Sequence, residues 1–285
     1  MSSESNEPPR DDQSGTTESM ATCCGCGRQE TTSPTAGKSP KSFRPCGCWA
    51  IALGLLVLFV VIFILLPVIS PCREAARRFH CINNLKQLHL AMEAYHSAYG
   101  QFPPAYVADK DGRPMYSWRV LLIPFLEPSD FYDQFHHNEP WDSPHNLPLA
   151  KEYFAEFFRC PSQPKQEKPI TSYVMIVGPD CLSQGSMSAT QTDILHPKQT
   201  IILAEIADSD IVWTEPRDLD ATTMSYNIND PQQLSISSKH PGGAHAIFAN
   251  GHAIFLQDDI DPELIRKLTE PNAVLSDNES DSIEY

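Results

Sequence analysis

Between residues 49 and 70 the chain has no Lys, Arg, Asp or Glu. Residues 49–69 read WAIALGLLVLFVVIFILLPVI, and at ~1.5 Å rise per residue this run spans the ~30 Å hydrocarbon core of a bilayer. A run this long without a charge excludes an ordinary surface helix. It is also too long for the apolar region of a cleaved signal peptide, and 48 mostly polar residues precede it. Pro71 denies Cys72 the small neighbour that a lipoprotein anchor needs. Basic residues are scarce as well. The chain holds 21 Lys+Arg against 36 Asp+Glu, a net charge of -15. Residues 1–48 carry 5 against 6 and residues 71–285 carry 16 against 30. An acidic main segment without a basic stripe repels phosphate backbones, so nucleic acid is excluded as a partner.

Large apolar residues are almost missing from residues 1–45, which therefore cannot bury enough surface to offset ordering entropy. A disordered tail, residues 1–48, is expected. Its one feature is thiol chemistry: Cys23, Cys24 and Cys26, then Cys46 and Cys48. Cys23, Cys26, Cys46 and Cys48 are weak zinc candidates, because C-x-C is not the usual second knuckle. No G-x-S-x-G, H-E-x-x-H, phosphate-cradling glycine loop or dinucleotide fingerprint occurs, and there is no internal repeat. No catalytic residue and no cofactor is expected from motifs.

What is present is a stem and a head. Residues 71–100 place Ala75, Phe79, Ile82, Leu85, Leu88, Met92, Tyr95 and Tyr99 at three- and four-residue intervals, the stripe of an amphipathic helix. Gly100 stops it and Pro103-Pro104 prevents continuation. Pro67 and Pro71 predict a kink at the end of the apolar run. Residues 101–270 read as an α+β head. Residues 117–127 form an apolar segment broken by Pro124, and 129–135 and 149–158 short helices. Residues 172–178 and 199–207 are core strands. Residues 261–268 form a helix with Asp261 as N-cap and Pro262 at its first position. Residues 271–285 should be an acidic, flexible end.

Residues 240–256, HPGGAHAIFANGHAIFL, predict a hairpin around Asn250-Gly251 with a two-residue type I′ turn. That register pairs Ala249 with His252, Ile247 with Ile254 and His245 with Leu256. It separates His245 from His252 by about 13 Å, too far to share a metal, so the histidines read as part of a hairpin. His136 and His137 beside Asp133, Glu139 and Asp142 form a second polar cluster, whose adjacent histidines diverge. Asp258, Asp259 and Asp261 could touch calcium, but Asp261 is already explained as a cap. Cys72, Cys81, Cys160 and Cys181 follow the apolar run. In an oxidising compartment they allow up to two disulfides, with three connectivities.

Several stretches together carry a resemblance: 65–105 (LLPVISPCREAARRFHCINNLKQLHLAMEAYHSAYGQFPPA), then SWRVLLIPFLE, YDQFHHNEPWDSPHN, FRCPS, TSYVMIVGP and TIILAEIADSDIVWTEPRDL. The closing frame His240-x9-Asn250-Gly251 stands where the relatives have H-x9-DG. The chain resembles the pseudopilin-like proteins of planctomycetes, the domain of unknown function numbered 1559, whose stem is similar to that of type II secretion pseudopilins and type IV pilins. The resemblance implies an N-terminal helix packed on a mainly antiparallel β-sheet head. It places the tail in the cytoplasm, residues 49–70 across the inner membrane and the head in the periplasm. It further implies pairing of Cys81 with Cys160 first and Cys72 with Cys181 second. Its partners would be the bilayer through residues 49–69 and other pseudopilin-like or secretion-system proteins.

Three departures qualify it: no prepilin cleavage Phe or assembly Glu near residues 45–50, Pro71 within the stem, and Asn250 in place of Asp. The expected function is that of a non-enzymatic, membrane-anchored envelope protein. A solute- or glycan-binding protein would instead gather Trp118, Tyr132, Trp141 and Trp213 in one cleft. A metal-dependent hydrolase would draw on His136, His137, His240 or Glu205.

Overall fold

The computed structural model describes residues 47–153, 156–164, 167–281 and 283. Helix α1 runs over Gly47–Tyr99 without a break in its helical backbone, so neither Pro67 nor Pro71 ends it. Gly100 closes it at φ 75°, its N–H bonded to the His96 carbonyl at 2.7 Å, the left-handed stop expected from the sequence. Among the described residues no helix is long and apolar enough to cross a membrane. The side chains of residues 50 and 64–70, which belong to the apolar run, lie outside the described residues.

The chain divides at residues 55/56, and the head and its stem belong to the second unit. After α1 come β1 (Tyr106–Ala108) and β2 (Pro114–Ser117), an antiparallel pair, then α2 (Trp118–Leu126), α3 (Phe131–Gln134) and α4 (Asn146–Glu152). Pro124 does not break α2. The Ser117 hydroxyl caps the helix by accepting the Arg119 N–H, and Val120, Leu121, Leu122 and Ile123 are buried around it. The helix expected over 149–158 is instead α4, which ends at Glu152, and a 3-10 turn over Glu156–Phe158.

A five-stranded sheet follows: β3 (Tyr173–Val177), β4 (Ile201–Glu205), β5 (Leu219–Asp220), β6 (Gly243–Phe248) and β7 (Ala253–Gln257), in the order β5-β3-β4-β6-β7. Only the short β3–β5 pairing is parallel, so the head is α+β and mainly antiparallel as expected. Helix α5 (Pro262–Leu268) has the expected cap, Asp261 accepting the Glu263 N–H at 2.9 Å. Within the end expected to be flexible, Asp277–Asp281 form a short helix, α6, with Ser276 and Glu279 capping each other.

Alternation along the strands divides the core into two layers. Tyr173, Met175, Leu203 and Ile247 pack with Leu85, Leu88, Ala91 and Met92 of the stem. Val174, Ile176, Ala204, Ala246, Phe248, Ile254 and Leu256 pack with Leu264, Ile265 and Leu268 of α5. A register shift between Ile201 and Leu203 turns Ile202 toward the stem layer as well.

The hairpin forms, but one residue out of the expected register. His245 pairs with Phe255, Ala246 with Ile254 and Ile247 with Ala253. The turn is a three-residue loop closed by the Phe248 N–H on the His252 carbonyl at 2.9 Å. Only Gly251 is left-handed, at φ 82°, whereas a type I′ turn would need Asn250 left-handed too. The cause is tertiary: the N–H groups of Ala249 and Asn250 bond to the carbonyls of Thr200 and Pro197, at 2.8 and 3.0 Å, and hold the strand one residue longer.

Candidate metal centre

The stem meets the head through one helical face. Cys81 and Asn84 lie one turn apart, at a spacing that puts both on the same side. Buried Asn84 donates to the carbonyls of Arg159 (3.1 Å) and Glu156 (3.4 Å), which fixes the segment leading into Cys160. The Cys160 N–H bonds to the Ser172 hydroxyl at 2.9 Å, locking that segment to the start of β3. Cys81 and Cys160 are thereby brought together, their sulfurs 2.7 Å apart.

His240 enters the same place from the loop before β6. Its Nδ1 donates to Glu74 Oε1 at 2.6 Å, two helical turns up the stem. That bond turns Nε2 inward, 3.2 Å from Cys81 Sγ, 3.4 Å from Cys160 Sγ and 3.4 Å from Glu205 Oε1. Glu205 ends β4 on the stem-facing side. Its Oε2 accepts both the backbone N–H (2.7 Å) and Nδ1 (2.9 Å) of His245, while its Oε1 has no hydrogen-bond partner. Cys81, Cys160, Glu205 and His240 are all buried, and their four ligand atoms lie within 4.8 Å of one another.

The site is electrically tense. Burial would raise the Glu205 carboxyl, but His240 and His245 hold it down at about 2. Burial would likewise lower His240, yet Cys160, Glu205 and Glu74 push it up to about 10. Contact with Cys81 brings the Cys160 thiol down to about 6, while Cys81 is raised. Two sulfurs, an imidazole nitrogen and a carboxylate oxygen form a donor set suited to a tetrahedral ion such as zinc. Oxidation could instead close the two sulfurs as a disulfide.

The remaining expected residues fall elsewhere. Cys23, Cys26 and Cys46 lie outside the described residues, and Cys48 is described only as helix backbone. Cys72 is exposed on the stem, whereas Cys181 is buried in the α5-side layer. Cys72, Cys81, Cys160 and Cys181 are all free thiols in this structure; Cys81 and Cys160 are in contact, whereas Cys72 and Cys181 lie in different surroundings. His136 stacks on His145, with ring centroids 3.6 Å apart, and pairs with Glu139, while His137 bonds to the Tyr132 carbonyl. Neither joins Glu205 and His240. Trp118 and Trp213 are wholly buried in the core, with Tyr132 and Trp141 packed against it.

The closing frame acquires a mechanical meaning. Its first residue, His240, grips the stem at Glu74 and Cys81, and its last, Gly251, lies against His89. A Cβ on Gly251 would sit 2.9 Å from the His89 ring, which itself bonds to the Ala249 carbonyl at 3.1 Å. Asn250 Oδ1 accepts the His252 N–H at 3.0 Å, a task an Asp performs equally well. Glu74 and Glu205 were the partners hardest to read in the sequence. The available signals were a single acid early in the stem stripe and an acid ending an otherwise apolar strand.

The geometry defines an α+β head docked on a helical stem through a buried thiol, imidazole and carboxylate cluster. Residues 70–199 match the model of the family described as Protein of unknown function (DUF1559). The frame from 240 to 251 lies beyond the matched segment. No curated protein and no solved structure matches the chain.

Proposed function

We propose that this protein is a non-enzymatic, pseudopilin-like envelope protein, anchored in the inner membrane by residues 49–69 and presenting its head in the periplasm for structural or interaction work. One observation carries the reading. The large apolar side chains described between Trp49 and Phe63 are all exposed, from 44% for Val61 to 79% for Trp49, on the helix whose other end packs into the head core. Water does not tolerate a contiguous apolar surface of this kind, and lipid does. The cluster around Cys81 is closed to solvent. None of its residues lines the open grooves around Cys181, Gln184 and Asn272 or around Asp208, Asp230 and Lys239.

Fractionation and thiol labelling test this. The full chain should remain with membranes through alkaline carbonate washing, and a membrane-impermeant maleimide should label Cys72 in cells whose inner membrane is intact. Recovery in the soluble fraction overturns the anchor. Labelling of Cys23–Cys48 in those cells overturns the orientation.

A further inference from the structure

We infer that Cys81, Cys160, His240 and Glu205 bind one divalent zinc-type ion that fastens the stem to the head. A disulfide needs two sulfurs and nothing else. Here His240 Nε2 and Glu205 Oε1 converge on the same point, 3.4 Å from each other. A tetrahedral ion with bonds of about 2.0–2.3 Å sets such neighbouring ligand atoms roughly 3.3–3.8 Å apart. The nitrogen-to-oxygen distance and the nitrogen-to-sulfur distance to Cys160, both 3.4 Å, fall in that range, and the 3.2 Å to Cys81 lies just below it. The sulfurs, at 2.7 Å, must spread by about 1 Å to reach it.

Glu205 supplies an independent observation. Its side chain is 1% exposed and Oε1, which points at the cluster, has no hydrogen-bond partner. The ion-pair contact of Oε1 with His240 Nε2, at 3.4 Å, leaves this buried oxygen without a hydrogen bond, a cost that a metal bond would remove. Outside the four ligands, Glu74 takes the Nδ1 proton of His240, the carboxylate–histidine arrangement that orients an imidazole for a metal. Arg77, 2.6 Å from Glu74, offsets its charge in turn. Binding displaces the proton on His240 Nε2 and those remaining on the two sulfurs, and all four ligands come from the protein, the mark of a structural rather than catalytic ion.

The probe is cobalt(II), added to the full-length chain in detergent under thiol-reducing conditions, with Cys23, Cys24, Cys26, Cys46 and Cys48 replaced by Ser. One equivalent should bind and give thiolate charge-transfer and tetrahedral ligand-field bands, both bleached by zinc. Cys81→Ser and Cys160→Ser should lose the charge-transfer intensity. Glu205→Gln, nearly isosteric, should keep its circular dichroism but bind far more weakly. Glu74→Gln should weaken affinity by about 10–100-fold with the spectrum retained, and Cys72→Ser should change nothing. Absence of uptake by the reduced protein overturns the inference. So does uptake that survives in Cys81→Ser and Cys160→Ser, or a Cys81–Cys160 disulfide that takes up no metal once reduced. Membrane anchoring is read by fractionation of the same preparation, so the two proposals fail separately.

Discussion

Among the described residues two clusters of buried charge stand out, and in the second a carboxylate oxygen lacks a hydrogen bond. Arg119 and Asp218 are both essentially unexposed and pair at 2.5 Å. Burial lowers the basicity of Arg119 and raises the Asp218 carboxyl, costs that their pairing offsets. Each guanidinium nitrogen and each carboxylate oxygen has a partner. Arg119 donates to the Tyr173 carbonyl twice and to the Ser117 hydroxyl, while Asp218 accepts from Trp118 Nε1 and the Met175 N–H. The cluster at Cys81 is just as buried, yet Glu205 Oε1 is unsatisfied and four ligand atoms converge. Burial of charge therefore does not mark a site; convergence with a valence left over does. The first cluster ties α2 to the sheet inside the head. The second ties the head to its stem.

The largest expected effect comes from breaking the saturated pair. Asp218→Ala strands a buried guanidinium and should cost about 3–5 kcal/mol in denaturant unfolding, with or without zinc. The unsaturated cluster should respond to metal instead. Zinc at 100 times its dissociation constant should stabilise the reduced wild type by about 2.7 kcal/mol. Glu205→Gln should forfeit that increment and the Asp218 variant should keep it. Equal zinc responses in the two variants would erase the distinction between the clusters. Gly251→Ala probes the far end of the stem contact. The left-handed φ and the His89 ring should together cost about 1–2 kcal/mol, part of it recovered in a His89→Ala background. Smallest of all, Asn250→Asp should shift stability by less than about 0.5 kcal/mol, because either side chain accepts the His252 N–H. A larger loss would show that the amide does more than hold the turn.

Much of the fold was legible. The stem stripe at Leu85, Leu88 and Met92, the Gly100 stop, the strands at Tyr173–Val177 and Ile201–Glu205 and the Asp261 cap all follow from period and capping, which are local. The hairpin register was not, because the N–H groups of Ala249 and Asn250 are claimed by residues 197 and 200, about fifty positions away. The site was legible in pieces. Cys81 and Cys160 stood out as a pair implied by resemblance, His240 as a motif residue and Glu205 only as a hydrolase candidate alongside His136 and His137. The reading that His245 and His252 share no metal used a register one residue out. It also turned attention from His240, whose loop had no predictable direction.

The sequence by itself determined which segments are helix, strand and turn, since apolar period and capping chemistry act over a few residues. It also determined the charge-free run at 49–70 and the acidic balance. Only the tertiary structure decided that residues 74, 81, 160, 205 and 240 meet at one point. That meeting depends on a helix face, a strand end, the segment after the 3-10 turn and a loop arriving together, and no local preference encodes the directions of all four.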